Sequence, residues 1–203
     1  MRCMEAFVHL CALGMCDNHE IHLLSVETDF QNGNKTRTDG LVNLYQQIRK
    51  GQDGKQLPPQ SDTFFSARLH YYRFATQYTQ SKADATFLQK MNVSPVGQTD
   101  DAALADLLFP KELHDLDLSH GYRGQTHLGS LLMYHEMLQE SDKNGSDLQR
   151  FIEKLQNTSD ARVFVAGSVF GGTGASSIPL IPKILGDVSR SMDSNKSLNV
   201  QYG

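Results

Sequence analysis

The sequence has little of what marks membrane, secreted or nucleic-acid-binding proteins. No apolar run approaches the length of a membrane-spanning helix, and the N-terminus lacks the shape of a signal peptide. Only 3 cysteines occur, an odd number without paired spacing, which favours a reducing compartment. The 203 residues carry a formal net charge of -4, which argues against a surface for a phosphate backbone. These features predict a cytoplasmic protein with neither nucleic acid nor membrane as a partner.

The familiar metal and nucleophile motifs are missing as well. His135 does not begin an H-E-x-x-H motif, because Gln139 stands where the second histidine is required. Ser168 is not in a G-x-S-x-G nucleophile elbow. We therefore predict no metal ligands in the chain, and we nominate no catalytic residue.

The most informative stretch is Ala161–Leu185, with the sequence ARVFVAGSVFGGTGASSIPLIPKIL. Its apolar start, Val163–Ala166, predicts a strand buried on both faces. Gly171–Ser176 follows as a turn of small residues, and Ile178–Leu185 has helical spacing. A strand, a glycine turn and a helix in this order aim backbone N–H groups and a helix dipole at a phosphate. From residue types alone, phosphate binding and a plain tight turn are equally open alternatives.

The other predicted elements indicate the fold class. They are a helix at Met1–Gly14, a strand at Glu20–Glu27, a short helix at Leu41–Ile48, a helix at Asp101–Leu108, two amphipathic helices within Leu128–Leu155 and a final strand at Leu198–Tyr202. Strands that alternate with helices predict an α/β fold with a mainly parallel sheet.

Two regions are less regular. Thr28–Thr38 is polar, contains the turn signal Asn32-Gly33 and predicts a loop. Gly51–Pro110 is predicted to be an insertion of uncertain structure within a single domain. Inside this insertion, Phe64–Tyr78 fits a strand and a helix equally well.

The glycine turn carries a family resemblance. Phe170–Ser176 resembles the GGGTG[ST]G signature of the tubulin/FtsZ superfamily, and Arg162–Tyr202 is similar to that family's strand, phosphate loop, helix and next strand. Phe170 replaces the first glycine of the signature, Ala175 replaces its Ser/Thr and Ser176 its last glycine. The resemblance implies that this turn holds phosphate groups through its backbone. The residues concerned are Gly171, Gly172, Thr173, Gly174, Ala175 and Ser176.

A second segment, Ser25–Gln31, is similar to the loop after the second strand of FtsZ-like proteins, which carries a V-x-T-D-x-Q pattern. The resemblance implies that Glu27 or Asp29 contacts the sugar or the water shell of a magnesium ion. Taken alone, two carboxylates at a strand end are more often simply solvated.

A third segment, Gly121–Gly129, resembles the glycine-rich loop that precedes the family's third helix and touches the γ-phosphate. The resemblance implies this role for Gly124, Gln125 and Thr126, with Arg123 adding charge. The alternative is a surface turn that caps a helix. All three segments are predicted at one edge of a parallel sheet, where open α/β sheets bind ligands.

Together these motifs resemble a prokaryotic tubulin-like protein with a Rossmann-like three-layer domain. The resemblance implies binding of GTP, with ATP possible, together with Mg²⁺, and hydrolysis linked to self-association of the full-length form. It also implies a partial domain or an incorrectly chosen start, because the family's first strand and C-terminal part have no counterpart here. A tubulin-like scaffold without turnover and a Rossmann-type dinucleotide enzyme are the alternatives.

Overall fold

The computed structural model describes residues 1–16, 19–29, 33–75, 86, 100–118, 121–159 and 161–192. The chain divides into two compact units. The first unit comprises Met1–Val26 and Asn32–Phe74, and the second comprises Glu27–Gln31 and Ala75–Gly203. The elements, in chain order, are α1 (Arg2–Ala12), β1 (Glu20–Glu27), α2 (Gly33–Ile48), β2 (Arg68–Ala75), α3 (Asp100–Leu108), α4 (Lys111–His114), α5 (Thr126–Ser141), α6 (Asp147–Gln156), α7 (Gly172–Ser177) and α8 (Ile181–Met192). The predicted α/β class is confirmed at this level.

The first unit is built on a parallel pair of strands, β1 and β2. β1 has the predicted bounds, and β2 shows that the ambiguous stretch from Phe64 forms a strand from Arg68 onward. The Arg68 N–H donates to His19 O at 3.0 Å, which pairs the starts of the two strands. α1 and α2 pack on each other and cover one face of the pair, because their apolar residues form a common core. This core consists of Val8, Cys11, Val42, Tyr45 and Leu69.

The polar loop predicted as far as Thr38 is wrong from Gly33 onward, where α2 begins. The Thr38 hydroxyl is 2.8 Å from Asn34 O and 3.1 Å from Glu5 Oε1. Arg37 forms a bidentate ion pair with the same Glu5 carboxylate in α1. The first turns of α2 are therefore polar because they contact an acidic side chain of α1, which the local sequence does not reveal.

The second unit is mainly helical in its described part. α5 and α7 pack together, and α5, α6 and α8 form a further mutual contact. α5 and α6 confirm the two helices predicted within Leu128–Leu155. α6 begins at a regular cap, since Ser146 Oγ accepts from Gln149 N at 3.1 Å. The Asn144-Gly145 turn brings Gly145 N within 2.6 Å of Gln149 Oε1, which fixes the entry into α6.

The buried strand predicted at Val163–Ala166 is wrong. Residues 161–168 have no regular secondary structure, and the Phe164 side chain is 93% exposed. A strand buried on both faces needs neighbouring strands for its backbone groups and its side chains. In the described residues the one sheet consists of β1 and β2, and it does not include this segment.

Two further sequence predictions bear on the chain ends and on membranes. The strand predicted at Leu198–Tyr202 lies outside the described residues, as does Asn32 of the predicted turn. None of the helices in the described part of the chain combines the length and the apolar composition needed to cross a bilayer.

Candidate functional site

The three segments singled out in the sequence come together within the second unit. Thr28 Oγ1, just after β1, lies 2.6 Å from Thr173 Oγ1 in α7. Gly121 faces the same hydroxyl so closely that a Cβ added to it would lie 3.2 Å from Thr28 Oγ1. A Cβ on Gly172 would lie 3.0 Å from Gly124 N. The turn after β1, the loop at 121–124 and the glycine turn before α7 therefore form one contiguous cluster, which we call the three-loop site.

The two acidic residues of the first loop have different environments. Glu27 is 8% exposed, and its Oε1 accepts the N–H groups of Thr28 at 2.9 Å and of Asp29 at 3.1 Å. The Glu27 carboxylate thus holds the turn that presents the Thr28 hydroxyl to α7. The Asp29 side chain is half-buried, next to the position of Gly121. Asp29 is the better candidate for contact with a ligand, because it is more exposed than Glu27 and lies beside the second loop.

The second loop has a strained backbone. Gly121, Arg123 and Gly124 have φ angles of 74°, 45° and 79°. Glycine adopts this left-handed region without cost, whereas arginine does so at about 1–2 kcal/mol. The Arg123 side chain is exposed, while Tyr122 beside it is buried. The loop therefore points a cation outward and anchors itself inward through an aromatic ring.

The glycines of the third loop serve two different purposes. A Cβ on Gly174 would lie 2.3 Å from Ser168 O, and one on Gly172 would lie 3.2 Å from Tyr122 Cβ. Both glycines are required for close packing of α7. Gly171 is different, because a Cβ there would meet no atom within 4 Å and its φ is -103°. Gly171 is thus the glycine of this turn that faces open space.

The end of the glycine turn is joined to α5. Ser176 is fully buried, and its hydroxyl donates to Thr126 O at 3.1 Å. Ser130 Oγ donates to Ser176 O at 3.2 Å, and a Cβ on Gly129 would lie 2.3 Å from Ser176 Oγ. The serine that departs from the family signature therefore has a packing partner in α5. The Ala175 N–H donates to Gly171 O at 3.0 Å, so it belongs to the helix.

Two helices begin at this site. α5 begins at Thr126, with Gln125 as its N-cap, and α7 begins at Gly172, with Gly171 as its N-cap. Neither N-cap makes a side-chain hydrogen bond to its helix. N–H groups in first turns are donors that the helix itself does not satisfy. Since Gly172 lies against Gly124, the arrangement places two sets of such donors side by side, which suits an anion.

Sequence reasoning missed two members of the site, Thr28 and Tyr122. Thr28 stands inside the quoted segment Ser25–Gln31, but its role depends on a partner 145 positions away. Tyr122 is 1% exposed and contacts the positions of Gly129 and Gly172. The sequence did contain a signal for Tyr122, because a large aromatic residue next to a loop glycine often packs into the core and holds the loop in place.

Comparison of the chain with protein-family models, with curated proteins and with solved structures gave no match. An interpretation of the three-loop site therefore depends on its own residues and geometry.

Proposed function

We propose that this chain is a nucleotide-binding domain of the tubulin/FtsZ kind, with the three-layer Rossmann-like architecture of that family. Its ligand is a purine nucleoside triphosphate, GTP by resemblance with ATP as the other option, bound together with Mg²⁺. The observation that carries the proposal is the meeting of Thr28, Gly121–Gly124 and Gly171–Thr173 in one cluster. Three sequence segments with nucleotide-loop resemblance had no reason to meet if each were an unrelated surface turn.

Each loop has a distinct task in this proposal. The N–H groups at the start of α7, with the Thr173 hydroxyl, bind phosphate oxygens, and Gly171 leaves room for them. Gly124, Gln125 and Thr126 approach the γ-phosphate from the start of α5, and Arg123 adds positive charge. Asp29 accepts hydrogen bonds from magnesium-bound water, since its half-buried side chain lies next to Gly121 of the second loop.

Hydrolysis is proposed only for the self-associated, full-length form in a cytoplasmic setting. At the three-loop site, backbone N–H groups can donate to phosphate and Arg123 is a nearby cation, but we nominate no general base there. Turnover in this scheme depends on a second copy that completes the site. The exposed apolar segment that contains Phe164 and Phe170, at 93% and 96% exposure, is suited to such contacts.

A second candidate is a tubulin-like scaffold that has kept the fold without turnover. The specific observation in its favour is the engagement of the site's own hydroxyls. Thr28 and Thr173 bond to each other, and Ser176 bonds to α5, so the site is internally satisfied. The same exposed apolar segment then serves to bind a protein partner.

Equilibrium titration separates the two candidates. The purified chain is titrated with fluorescently labelled GTP and ATP, with and without Mg²⁺, and circular dichroism verifies that it is folded. Saturable binding of one nucleotide per chain that requires Mg²⁺ is the expected result. A folded chain that binds neither nucleotide contradicts nucleotide use and favours the scaffold.

A further inference from the structure

A cluster of side chains suited to a transition metal lies on the sheet of the first unit. Glu20 and His22 are two residues apart on β1, so they project from the same face of the sheet. His70 lies on the adjacent strand β2. One potential ligand atom from each of the three residues lies within 4.8 Å of the other two. Glu20 and His22 share a face because side chains alternate along β1, and the pairing of β1 with β2 brings His70, 50 residues after Glu20, beside them.

The two imidazole rings of the trio lie face to face. The His22 and His70 rings are stacked, with centroids 4.5 Å apart and planes 5° apart. His70 Nε2 lies 4.0 Å from Glu20 Oε1. Metal–ligand bonds of about 2.0–2.2 Å place tetrahedral ligand atoms about 3.3 Å apart. Because an imidazole binds a metal in the plane of its ring, the two parallel rings must rotate out of their stack to share one ion.

The neighbouring side chains orient two of the three ligands. The Tyr72 hydroxyl lies 3.0 Å from His22 Nδ1, which makes Nε2 the nitrogen through which His22 would bind a metal. Arg68 Nη1 donates to Glu20 Oε1 at 2.8 Å and fixes the carboxylate beside His70. Hydrogen bonds to the side chains of ligands are a regular feature of metal sites, and the one from Tyr72 is to the His22 nitrogen that faces away from the ion. The one from Arg68 is to Oε1, the Glu20 oxygen that also faces His70.

We propose that Glu20, His22 and His70 form a binding site for Zn²⁺. Two imidazoles and one carboxylate are a ligand set that suits zinc, whereas Mg²⁺ and Ca²⁺ prefer oxygen ligands alone. The side chains of Glu20 and His70 are 38% and 35% exposed, whereas the Nε2 atoms of His22 and His70 are themselves buried. An ion therefore reaches the site at the exposed Glu20 carboxylate, and the imidazoles turn toward it, with water as the fourth ligand. This inference stands apart from the proposed nucleotide site, because none of the three residues belongs to the three-loop site.

Cobalt substitution tests the assignment on the whole 203-residue chain. The chain is stripped with a chelator, dialysed and titrated with Co²⁺, without any nucleotide. We expect one Co²⁺ per chain with the visible bands of a four-coordinate nitrogen and oxygen site, and displacement of that ion by Zn²⁺. No thiolate charge-transfer band is expected, which distinguishes this site from one formed by Cys3, Cys11 or Cys16.

Three variants decide which residues bind. His70→Asn and Glu20→Gln are each expected to weaken Zn²⁺ binding at least about tenfold. His9→Asn is the matched control, because His9 is an exposed histidine of α1 in the same unit. Glu20→Gln changes a partly exposed residue at the start of β1, so it keeps the test decisive if His70→Asn fails to fold.

The results that would overturn the assignment are equally definite. Wild-type affinity in either variant, provided that it is folded, excludes this trio as the ligands. The same conclusion follows from a thiolate band, from a loss of affinity in His9→Asn, or from a folded wild-type chain that binds neither Co²⁺ nor Zn²⁺. Because imidazole must be neutral to bind, affinity is also expected to fall as the pH is lowered.

Discussion

The hydroxyl of Thr28 lies 2.6 Å from the hydroxyl of Thr173, and this contact joins the turn after β1 to the first turn of α7. Thr28 is 1% exposed, so the bond is shielded from water on the side of the turn. The backbone of the turn is fixed in addition by Glu27. This bond is therefore the direct link between the first and the last of the three loops.

Replacing either threonine by valine keeps the shape of the side chain and removes one hydroxyl. Thr28→Val and Thr173→Val are each expected to lower the free energy of unfolding by about 1 kcal/mol, since the remaining hydroxyl loses its partner. The double variant is expected to lose less than the sum, with a coupling of about 0.5–1.5 kcal/mol. Urea unfolding of the four proteins measures this cycle. Strict additivity would show that the two hydroxyls do not interact.

The sequence allowed β1, α1, α5 and α6 to be predicted because their apolar periodicity is local. It also indicated three loops that the structure brings together, since glycine-rich turns at the ends of helices and strands can be recognised from the sequence. The pairing of β2 with β1 and the helical start of α2 at Gly33 depend on long-range contacts. Neither was predicted, because no local pattern encodes the Glu5 carboxylate beside Thr38.

One wrong prediction and one cluster that was not predicted have the same origin. Val163–Ala166 has the composition of a buried strand, but composition does not supply the neighbouring strand that burial requires. The trio of Glu20, His22 and His70 was also missed, although Glu20 and His22 alternate on a predicted strand. Its third member comes from β2, and cross-strand register cannot be inferred from an unpaired strand.

Gly171 provides a sharp test of phosphate binding at the three-loop site. Gly171→Asp adds a side chain where nothing lies within 4 Å, at an N-cap position that favours aspartate. Stability is therefore expected to stay the same or to rise by a few tenths of a kcal/mol. Nucleotide affinity is expected to fall at least about tenfold, because a carboxylate a few ångströms from a phosphate repels it.

Gly171→Asn is the matched control for this charge effect, since it has the same shape and capping ability without the charge. It is expected to keep most of the affinity. Titration of labelled GTP into the wild type and both variants gives the comparison. Equal affinity in the aspartate and asparagine variants would place the phosphates elsewhere.

Gly174 is expected to be intolerant of any side chain. In Gly174→Ala the added Cβ would lie 2.3 Å from Ser168 O, a backbone atom, so α7 must move away from its neighbour. We expect a loss of about 1–3 kcal/mol of unfolding free energy, typical of overpacking. Gly171→Ser, whose side chain meets open space at an N-cap position that favours serine, is the control and should be neutral or slightly stabilising. Thermal unfolding followed by circular dichroism checks both, and equal melting temperatures would contradict the packing role.

Arg123 is expected to lower the stability of the fold through its strained backbone, while its charge favours binding of a triphosphate. Its φ of 45° costs about 1–2 kcal/mol, which Arg123→Gly relieves, while glycine adds about 0.5–1 kcal/mol of chain entropy cost. The variant is therefore expected to be as stable as the wild type or more stable by up to about 1.5 kcal/mol. If Arg123 contributes charge to a bound triphosphate, the same variant binds nucleotide more weakly, and the loss shrinks at high salt. A variant that loses stability and keeps its affinity would contradict both expectations.

The first unit is expected to lose stability in alkaline solution. Burial raises the pKa of Tyr45 from 10.0 to about 12, and burial followed by the hydrogen bond to Asp39 raises the pKa of Tyr71 to about 12. The folded chain therefore holds these protons at pH values where the unfolded chain releases them. The stabilisation is complete below pH 10 and is lost as the pH rises toward 12. Burial also raises the pKa of Cys11 from 9.0 to about 12. The loss of stability therefore begins about one pH unit lower than the tyrosines alone would produce.

Tyr45→Phe tests this assignment, because it removes one of the protons that unfolding releases. At neutral pH the variant is expected to be less stable by about 1 kcal/mol, since the Tyr45 hydroxyl donates to Ala67 O at 2.8 Å. Above pH 10 its stability should fall less steeply than that of the wild type. Urea unfolding at a series of pH values gives the slopes, and tyrosinate absorption is readable because the chain has no tryptophan. Parallel curves for the two proteins would mean that Tyr45 ionises as readily in the folded chain as in the unfolded one.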